Sequence, residues 1–290
     1  MRAEQVFNQG YTQDDNTAFH NSNILFFPSA NLTFYLKSNE FWKLSYGKRI
    51  NYPRSGQLSP FVDITDSLNQ HGGNPHLQPE IVHSVELGYT KEWKKCSLSS
   101  ILFYRYSQDV IKQYSELNSD GIILSKPMNF GSAVTYGLEN IVAVHPFAFY
   151  DVNLSLSLFR QKINGVNVVQ DASNDAFCWY GKIINNFAWK QSKLQVTGNY
   201  NSPTVTPQGK SIATYYIDMG FQQQLGKNMH IGIVATDIFN TLKSGSKMQT
   251  SEFVNKRTAK ADTRAVLLTF AYTFNSAFKA KLLENKFSAE

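Results

Sequence analysis

Residues 49–89 read RINYPRSGQLSPFVDITDSLNQHGGNPHLQPEIVHSVELGY, a more specific pattern than the strand periodicity of the rest of the chain. It contains the end of one strand, a long loop with four prolines and the start of the next strand. Pro75 biases the preceding Asn away from helix, and Pro79 prevents ladder pairing before Glu80. In residues 84–90 apolar side chains alternate with polar or small ones, which is the period of a strand with one apolar face. The loop is therefore expected to deliver the chain into a strand that begins at Glu80.

Alternation with a period of two recurs along the chain and predicts an all-β fold. Between residues 152 and 158 it is nearly perfect, with Val and Leu at one parity and Asn and Ser at the other. Within residues 96–112 two apolar faces are open, one through Leu102 and one through Phe103. No helix is predicted before the tail. Strands are predicted near 26–36, 41–50, 81–90, 96–112, 129–144, 150–162, 177–189, 194–202, 213–224, 229–239 and 263–274.

The connections between these predicted strands alternate in length. Outer-membrane barrels show this alternation because their periplasmic turns are short and their external loops are long, whereas a soluble sandwich has no reason for it. The pattern predicts an antiparallel up-and-down transmembrane β-barrel segment of about 11–12 strands. The short connections are 37–40, 91–95, 145–149, 190–193 and 225–228, and the long ones are 51–80, 113–128, 163–176, 203–212 and 240–262.

Aromatic residues are predicted near the ends of the apolar faces, where a membrane interface selects amphipathic rings. A soluble sandwich or propeller with an apolar core is the alternative. The opposite faces carry mostly Ser, Thr, Asn, Gln and Gly, which favours a water-filled or plugged lumen. The predicted interface residues are Trp42, Trp93, Trp179, Trp189, Tyr200, Tyr216 and Tyr272.

The composition excludes several classes of protein. Charged residues make up 17% and aromatic residues 14% of the 290 residues, and mean hydropathy is only −0.32. No apolar run approaches the roughly 18 residues of a transmembrane helix, and the two cysteines indicate neither a disulfide framework nor a zinc module. The net charge of +6 is dispersed, so nucleic acid is not an expected partner. Residues 2–23 are polar and lack a leader pattern, so either the chain stays inside the cell or the start of a secreted protein lies elsewhere.

Residues 49–89 closely resemble the C-terminal barrel of TonB-dependent outer-membrane receptors, in particular the Bacteroidetes-type outer-membrane β-barrel family. Stretches at 26–36, 129–140, 200–211 and 236–241, and the terminal FAYTF at 270–274, are also similar to that family, in the same order. The matching motif residues in 49–89 are Arg49, Pro53, Leu58, Pro60, Phe61, Gly73, Asn74, Pro75, Leu77, Pro79, Glu80, Glu86, Leu87, Gly88 and Tyr89.

The resemblance implies energised uptake of a scarce nutrient across the outer membrane. Residues 1–25 are then an external loop or the end of a preceding strand, 26–274 the C-terminal part of the barrel, and 275–290 a periplasmic tail with a short helix. The chain would form roughly half of an about 22-stranded barrel and would not transport alone. The implied partners are outer-membrane lipid, a missing N-terminal barrel half and plug, an energy-transducing inner-membrane complex reached through the missing segment, and an unidentified nutrient. The alternative function is a surface-exposed binding or structural barrel without transport.

Most motif residues are expected to shape loops and strand ends. Asp237 and Asn240 are predicted to end a strand by bonding their own backbone at a turn, and Phe274 resembles the terminal aromatic of outer-membrane proteins. No catalytic residue, cofactor or metal site is predicted, because enzyme motifs are missing and the histidines are scattered. The charges expected to face the lumen are Lys43, Arg49, Glu86, Arg105 and Glu139.

Overall fold

The computed structural model describes residues 2–12, 17–168, 173–226 and 228–274, which form 19 strands and one helical turn. In chain order these elements are β1 (Arg2–Thr12), β2 (Thr17–Phe27), β3 (Ser29–Lys37), β4 (Glu40–Asn51), α1 (Ser55–Leu58), β5 (Val62–Asp63), β6 (Asn69–Gly72), β7 (Glu80–Glu92), β8 (Cys96–Leu117), β9 (Ile123–Phe147), β10 (Tyr150–Asn164), β11 (Ser173–Trp189), β12 (Ser192–Asn201), β13 (Val205–Thr206), β14 (Gly209–Ser211), β15 (Thr214–Leu225), β16 (Met229–Thr236), β17 (Ser244–Gln249), β18 (Val254–Ala259) and β19 (Ala265–Tyr272).

Eleven of these strands form one continuous wall, in the order β19-β16-β15-β12-β11-β10-β9-β8-β7-β4-β3. Each wall strand pairs antiparallel with its neighbours. Every predicted strand coincides with one strand of this wall. The all-β, antiparallel fold class is therefore confirmed.

A row of apolar side chains crosses seven strands of the wall and defines its apolar face. The row is set by register, since each member lies directly opposite the next one on the neighbouring strand. Most of its members are exposed; Leu44, for example, is 47% exposed. The row consists of Leu32, Leu44, Leu87, Leu102, Leu138, Leu158 and Trp179.

The opposite face of the wall, called here the polar face, carries the buried side chains. Phe103 is buried on this face, so Leu102 and not Phe103 belongs to the apolar face of β8. This settles the choice that the sequence left open in β8. The prediction that Tyr216 lies on the apolar face was wrong. Tyr215 lies opposite Tyr200 in an apolar row, which turns Tyr216 to the polar face. Two aromatic residues in succession hid the parity of this strand.

The long connections contain structure that was not predicted from the sequence. Strands β5, β6 and the single turn α1 lie between β4 and β7, and the pairs β13–β14 and β17–β18 lie in two later connections. Residues 113–128 are not a loop, because β8 and β9 extend through them and leave only a short turn at 118–122. The apolar alternation is blurred here because both sides of this hairpin contact other segments.

This extension of the β8–β9 hairpin, residues 110–130, is called here the tip. It leaves the plane of the wall at Asp109, whose φ of 53° interrupts the ladder opposite Gly131. Beyond the bend, Val110 and Phe130 pack against Ile163 and other core residues. Ile163 lies on the polar face, so the tip folds across that face. The main apolar core of the described residues is therefore at this bend and not inside the wall.

Strands β1 and β2 form a separate hairpin, and β2 leads through Pro28 into β3. The position of residues 1–25 relative to the membrane stays a prediction. The predicted tail helix at 275–290 lies outside the described residues. In the part of the chain that the structure describes, no helix is long and apolar enough to cross a membrane, a finding that does not bear on strands.

Candidate functional site

A polar pocket of about 730 Å³ lies among three long connections. One side is the segment from β5 to β6, the second is the side of the tip that faces away from the core, and the third is the β17–β18 hairpin. Because the other side of the tip packs on the polar face, the pocket lies above that face. Its lining residues are Asp63, Thr65, Asp66, Asn69, His71, Gln113, Ser115, Ile123, Ser125, Ser246, Met248, Asn255, Lys256, Arg257 and Thr258.

Two carboxylates on one side of the pocket are held in the ionised form. Asp63 accepts hydrogen bonds from the hydroxyl and backbone N–H of Thr65, which lower its pKa from the ordinary value. Asp66 accepts from the Asn69 side chain and from the backbone N–H groups of Leu68 and Asn69, and its pKa is lowered for that reason. Both are local turn bonds, so the pocket carries two fixed negative charges at neutral pH.

Two cations, Lys256 and Arg257, line the pocket from β18. The positive charge of Arg257 adds to the lowering of the Asp66 pKa. The two walls are tied directly, because the Asn255 amide donates to the Asn69 side-chain oxygen over 3.1 Å. The pocket therefore presents both signs of charge, together with hydroxyl and amide groups.

The N-P-x-L-x-P-E motif fastens the segment before β7 to the helical turn. The Asn74 backbone N–H donates to the Gln57 carbonyl over 2.6 Å, and Leu77 is buried. Gly73 is required here because a Cβ would lie 2.2 Å from the Ser59 carbonyl oxygen. Glu80 is the first residue of β7. These contacts give the motif a structural role in shaping one side of the external layer.

Amide side chains clamp the bend where the tip leaves the wall. The Asn129 side-chain oxygen accepts from the Gln78 backbone N–H over 2.8 Å, and its amino group donates to the carbonyls of Gln78 and Asp109. From the β10–β11 connection, Asn167 accepts from the Gly131 N–H and donates to the Asn129 carbonyl. The bend is thus bonded to the connections on both sides of it.

A third clamp holds the tip near the pocket. The Gln208 side chain accepts from the Ser115 backbone N–H over 2.8 Å and donates to its carbonyl over 2.6 Å. Asn167 and Gln208 were not predicted from the sequence. The sequence shows amide residues in these loops, but amides are common in loops and do not by themselves indicate a clamp. The backbone groups that they bond are distant in sequence.

The charges predicted for the lumen all lie on the polar face by register. Arg105 contacts Glu86 over 3.4 Å, and Glu139 accepts from the Tyr180 hydroxyl over 3.1 Å. The structure brings these three charges to neighbouring strands. Lys43 and Arg49 lie on β4, opposite Gly88 and Val82 in register.

Asp237 closes the turn after β16 and is only 1% exposed. Burial opposes its ionisation, but donors from Thr263, Thr241, Lys260 and Leu242 hold its pKa well below the usual range. Its own N–H donates to the Asp218 carboxylate. Asp237 and Asn240 both have positive φ, as the turn requires.

The remaining motif residues lie at different places. Tyr89 is on the apolar face, where its ring is 4.8 Å from that of Trp42 and its hydroxyl donates to Glu40. Phe61 is exposed in the connection after α1, and Phe274 is exposed beyond β19. Pro53 precedes α1, Pro60 follows it, and Pro75 and Pro79 lie on the approach to β7.

A family model described as the outer membrane protein beta-barrel family matches residues 1–272. The chain belongs to this family. Its wall is accordingly an outer-membrane barrel wall, its location is the bacterial outer membrane, and its apolar face is the one that contacts lipid.

Solved structures of outer-membrane receptors have the same fold as this member of the beta-barrel family. The copper transporter OprC superposes with a TM-score of 0.64 at 11% identity, covering 89% of this chain and 41% of that one. The ferric enterobactin receptor PfeA of Pseudomonas aeruginosa gives 0.60 at 14% identity, covering 89% and 42%. The ferric yersiniabactin uptake receptor FyuA from Yersinia pestis gives 0.60 at 12%, covering 94% and 41%.

The chain therefore spans about two fifths of the length of the receptors that it matches. Among curated proteins no sequence matches it. The resemblance to the barrel of TonB-dependent receptors is confirmed at the level of the fold. The narrower Bacteroidetes-type assignment stays a prediction.

Proposed function

We propose that this chain forms the C-terminal part of the barrel of a TonB-dependent receptor and contributes to energised uptake of a nutrient. The observation that carries the proposal is the polar pocket among the long connections, above the polar face of the wall. An uptake receptor needs a site that is open to the outside and lies above the lumen. The pocket supports the proposal because two of its walls, the tip and the β17–β18 hairpin, belong to the connections that would lie outside the membrane.

The nutrient in this proposal is a polar molecule that carries charge or many hydrogen-bonding groups. Lys256 and Arg257 would bind its anionic or acceptor groups, and the carboxylates of Asp63 and Asp66 would accept from its donors. The aligned charges Glu86, Arg105 and Glu139 would then line the passage below or anchor a plug.

The barrel in this proposal is completed by strands that the described residues do not include. Strands β3 and β19 are the two edges of the wall, and an odd number of antiparallel strands makes both edges run in the same direction. Direct closure of one edge on the other would give a parallel pair, which differs from the antiparallel pairing of outer-membrane barrels. The completing segment therefore supplies an odd number of strands, together with a plug and the contact to the inner-membrane energy-transducing complex. Without it, two edges in lipid would be unsatisfied and transport would fail.

An enzymatic role is not part of the proposal. Within the described ranges no group of three His, Cys, Asp or Glu side chains is arranged to hold a metal ion. The pocket chemistry described above is that of binding, and the proposed role is receptor and transporter.

The proposal is tested by deleting the gene and growing the strain on single limiting sources of iron chelate, cobalamin or oligosaccharide. The expected result is a growth defect on one source. Returning the gene should restore growth, and a proton uncoupler should abolish uptake of that source by the wild type. Normal uptake of every source would contradict it. Binding that is retained with the uncoupler, without any uptake, would instead favour the surface-binding barrel.

The pocket is tested with Arg257→Glu, which reverses a lining charge. Apparent affinity for the nutrient found in the deletion assay is expected to fall by at least about tenfold, as for loss of one charge-assisted contact. The matched control is Lys243→Glu, an exposed cation just before the same hairpin that does not line the pocket. If Arg257→Glu binds the nutrient as tightly as Lys243→Glu and the wild type, the pocket is not the binding site. That result would not contradict the receptor role.

A further inference from the structure

The apolar face carries a hollow of about 510 Å³ between β10, β11, β12 and β15. Two glycines create it. Gly181 lies opposite Tyr200, and Gly198 lies opposite Ile183, so the two are on neighbouring strands of the apolar face. The glycines Gly47, Gly88, Gly137, Gly220 and Gly232 lie instead on the polar face by register.

The sides of this hollow are aromatic and aliphatic. The ring of Trp179 stacks on that of Tyr200 at 4.2 Å between centroids, and Leu156 and Ile217 lie on either side. Phe239, which is 65% exposed, closes one end from the turn after β16. Tyr215 also lines this end, and it is the second residue of β15, directly after a long connection. This end of the hollow is therefore the one next to the long connections.

We propose that this hollow is a binding site for an acyl chain of lipid A, the lipid of the outer leaflet. The hollow is continuous with the lipid-contacting rows of the wall, so its occupant is drawn from the membrane and not from water. An apolar recess of this size among aromatic rings matches a hydrocarbon chain. Its position at the external ends of the strands selects the outer leaflet. This role is independent of nutrient uptake.

The site is tested by filling it. In Gly181→Leu the new side chain enters the hollow, and its Cβ makes only ordinary contacts, 3.5 Å to Trp179 and 4.0 Å to Leu156. Ala235→Leu is the matched control, because Ala235 is another small residue on the apolar face, opposite Met219 on β15. Gly181→Ala is the milder variant if Gly181→Leu reaches the membrane poorly.

The measurement is native mass spectrometry of the complete membrane-extracted protein, first to identify the lipid that is extracted with it and then with purified lipid A added. Lipid A is expected to stay bound to the wild type and to Ala235→Leu, and to bind at least about tenfold more weakly to Gly181→Leu, with an intermediate loss in Gly181→Ala. Equal retention by wild type and both Gly181 variants would overturn the proposal. So would phosphatidylethanolamine, in place of lipid A, as the lipid extracted with the wild type, or an equal loss in Ala235→Leu.

Discussion

At the scale of single residues, Asp237 shows how one buried carboxylate can hold two segments together. Its oxygens accept from Thr241 in its own turn and from Lys260 and Thr263 in the segment before β19. A buried charge is costly unless it is paired and hydrogen-bonded, and here the donors outweigh the cost of burial. The last wall strand is therefore anchored by a residue outside it.

Replacing this carboxylate is expected to weaken the fold in a pH-dependent way. Because the folded pKa of Asp237 is lowered, its stabilising effect is complete above the unfolded pKa of about 3.9 and is lost as pH falls below that value. The urea midpoint of Asp237→Asn should be clearly below that of wild type at pH 7 and pH 5, and the gap should shrink at pH 3. Asp262→Asn, an exposed carboxylate nearby, serves as the control and should show no gap at pH 7. A gap that is unchanged at pH 3 would contradict the ionic role.

At the scale of elements, the external layer is organised by close backbone contact and by amide clamps. Gly73 lies directly against the end of α1, and the clamps from Asn129, Asn167 and Gln208 bond to the backbone of the tip or its bend. These bonds satisfy backbone groups that a loop would otherwise expose to water. The layer is therefore held in one arrangement around the pocket.

Adding a single methyl group at Gly73 should loosen this layer. In Gly73→Ala the Cβ would overlap the Ser59 carbonyl at 2.2 Å, so the backbone must move, at a cost of about 1–3 kcal/mol. Limited proteolysis of intact cells should cut the segment between β4 and β7 faster than in wild type. In the control Gly56→Ala the new Cβ meets nothing within 4 Å, and cleavage should stay at the wild-type rate. Equal cleavage of both variants would show that Gly73 does not fix the segment.

At the scale of the whole molecule, the wall separates two solvents. The row through Leu44, Leu87 and Leu102 contacts lipid, while charges such as Glu86 and Arg105 lie on the other face. The same separation explains why an aromatic-rich chain has a negative mean hydropathy. Half of each strand is selected for hydrocarbon and half for water.

The two faces predict opposite responses to the same substitution. Leu44→Arg places a charge in the hydrocarbon layer, which costs about 2–4 kcal/mol near the midplane and should sharply lower the amount of folded protein in the outer membrane. Ser45→Arg, its neighbour on the polar face, should assemble nearly as well as wild type. Heat-modifiable migration on gels measures the folded fraction. A similar loss for both variants would contradict the assignment of the faces.

The wall could be predicted from the sequence because its causes are local. The position of each wall strand and the alternation of connection lengths follow from a period of two and from turn residues within a few positions. The sequence left the outward face open where neighbouring residues were equally apolar, at Leu102 and Phe103. It gave the wrong face where both neighbours were aromatic, at Tyr215 and Tyr216.

The external layer could not be predicted in the same way. The fold of the tip over the polar face depends on a bend at Asp109 and on contacts with Ile163 and Val205. The pocket depends on Asn69 meeting Asn255, 186 residues later. An antiparallel, two-faced membrane wall follows from the sequence alone, since lipid and water act on each strand separately. Which loops enclose the pocket depends on side chains that are distant in sequence and meet only when the long connections fold together. Where the lipid face is hollow depends on the pairing register that puts Gly181 and Gly198 on neighbouring strands of that face.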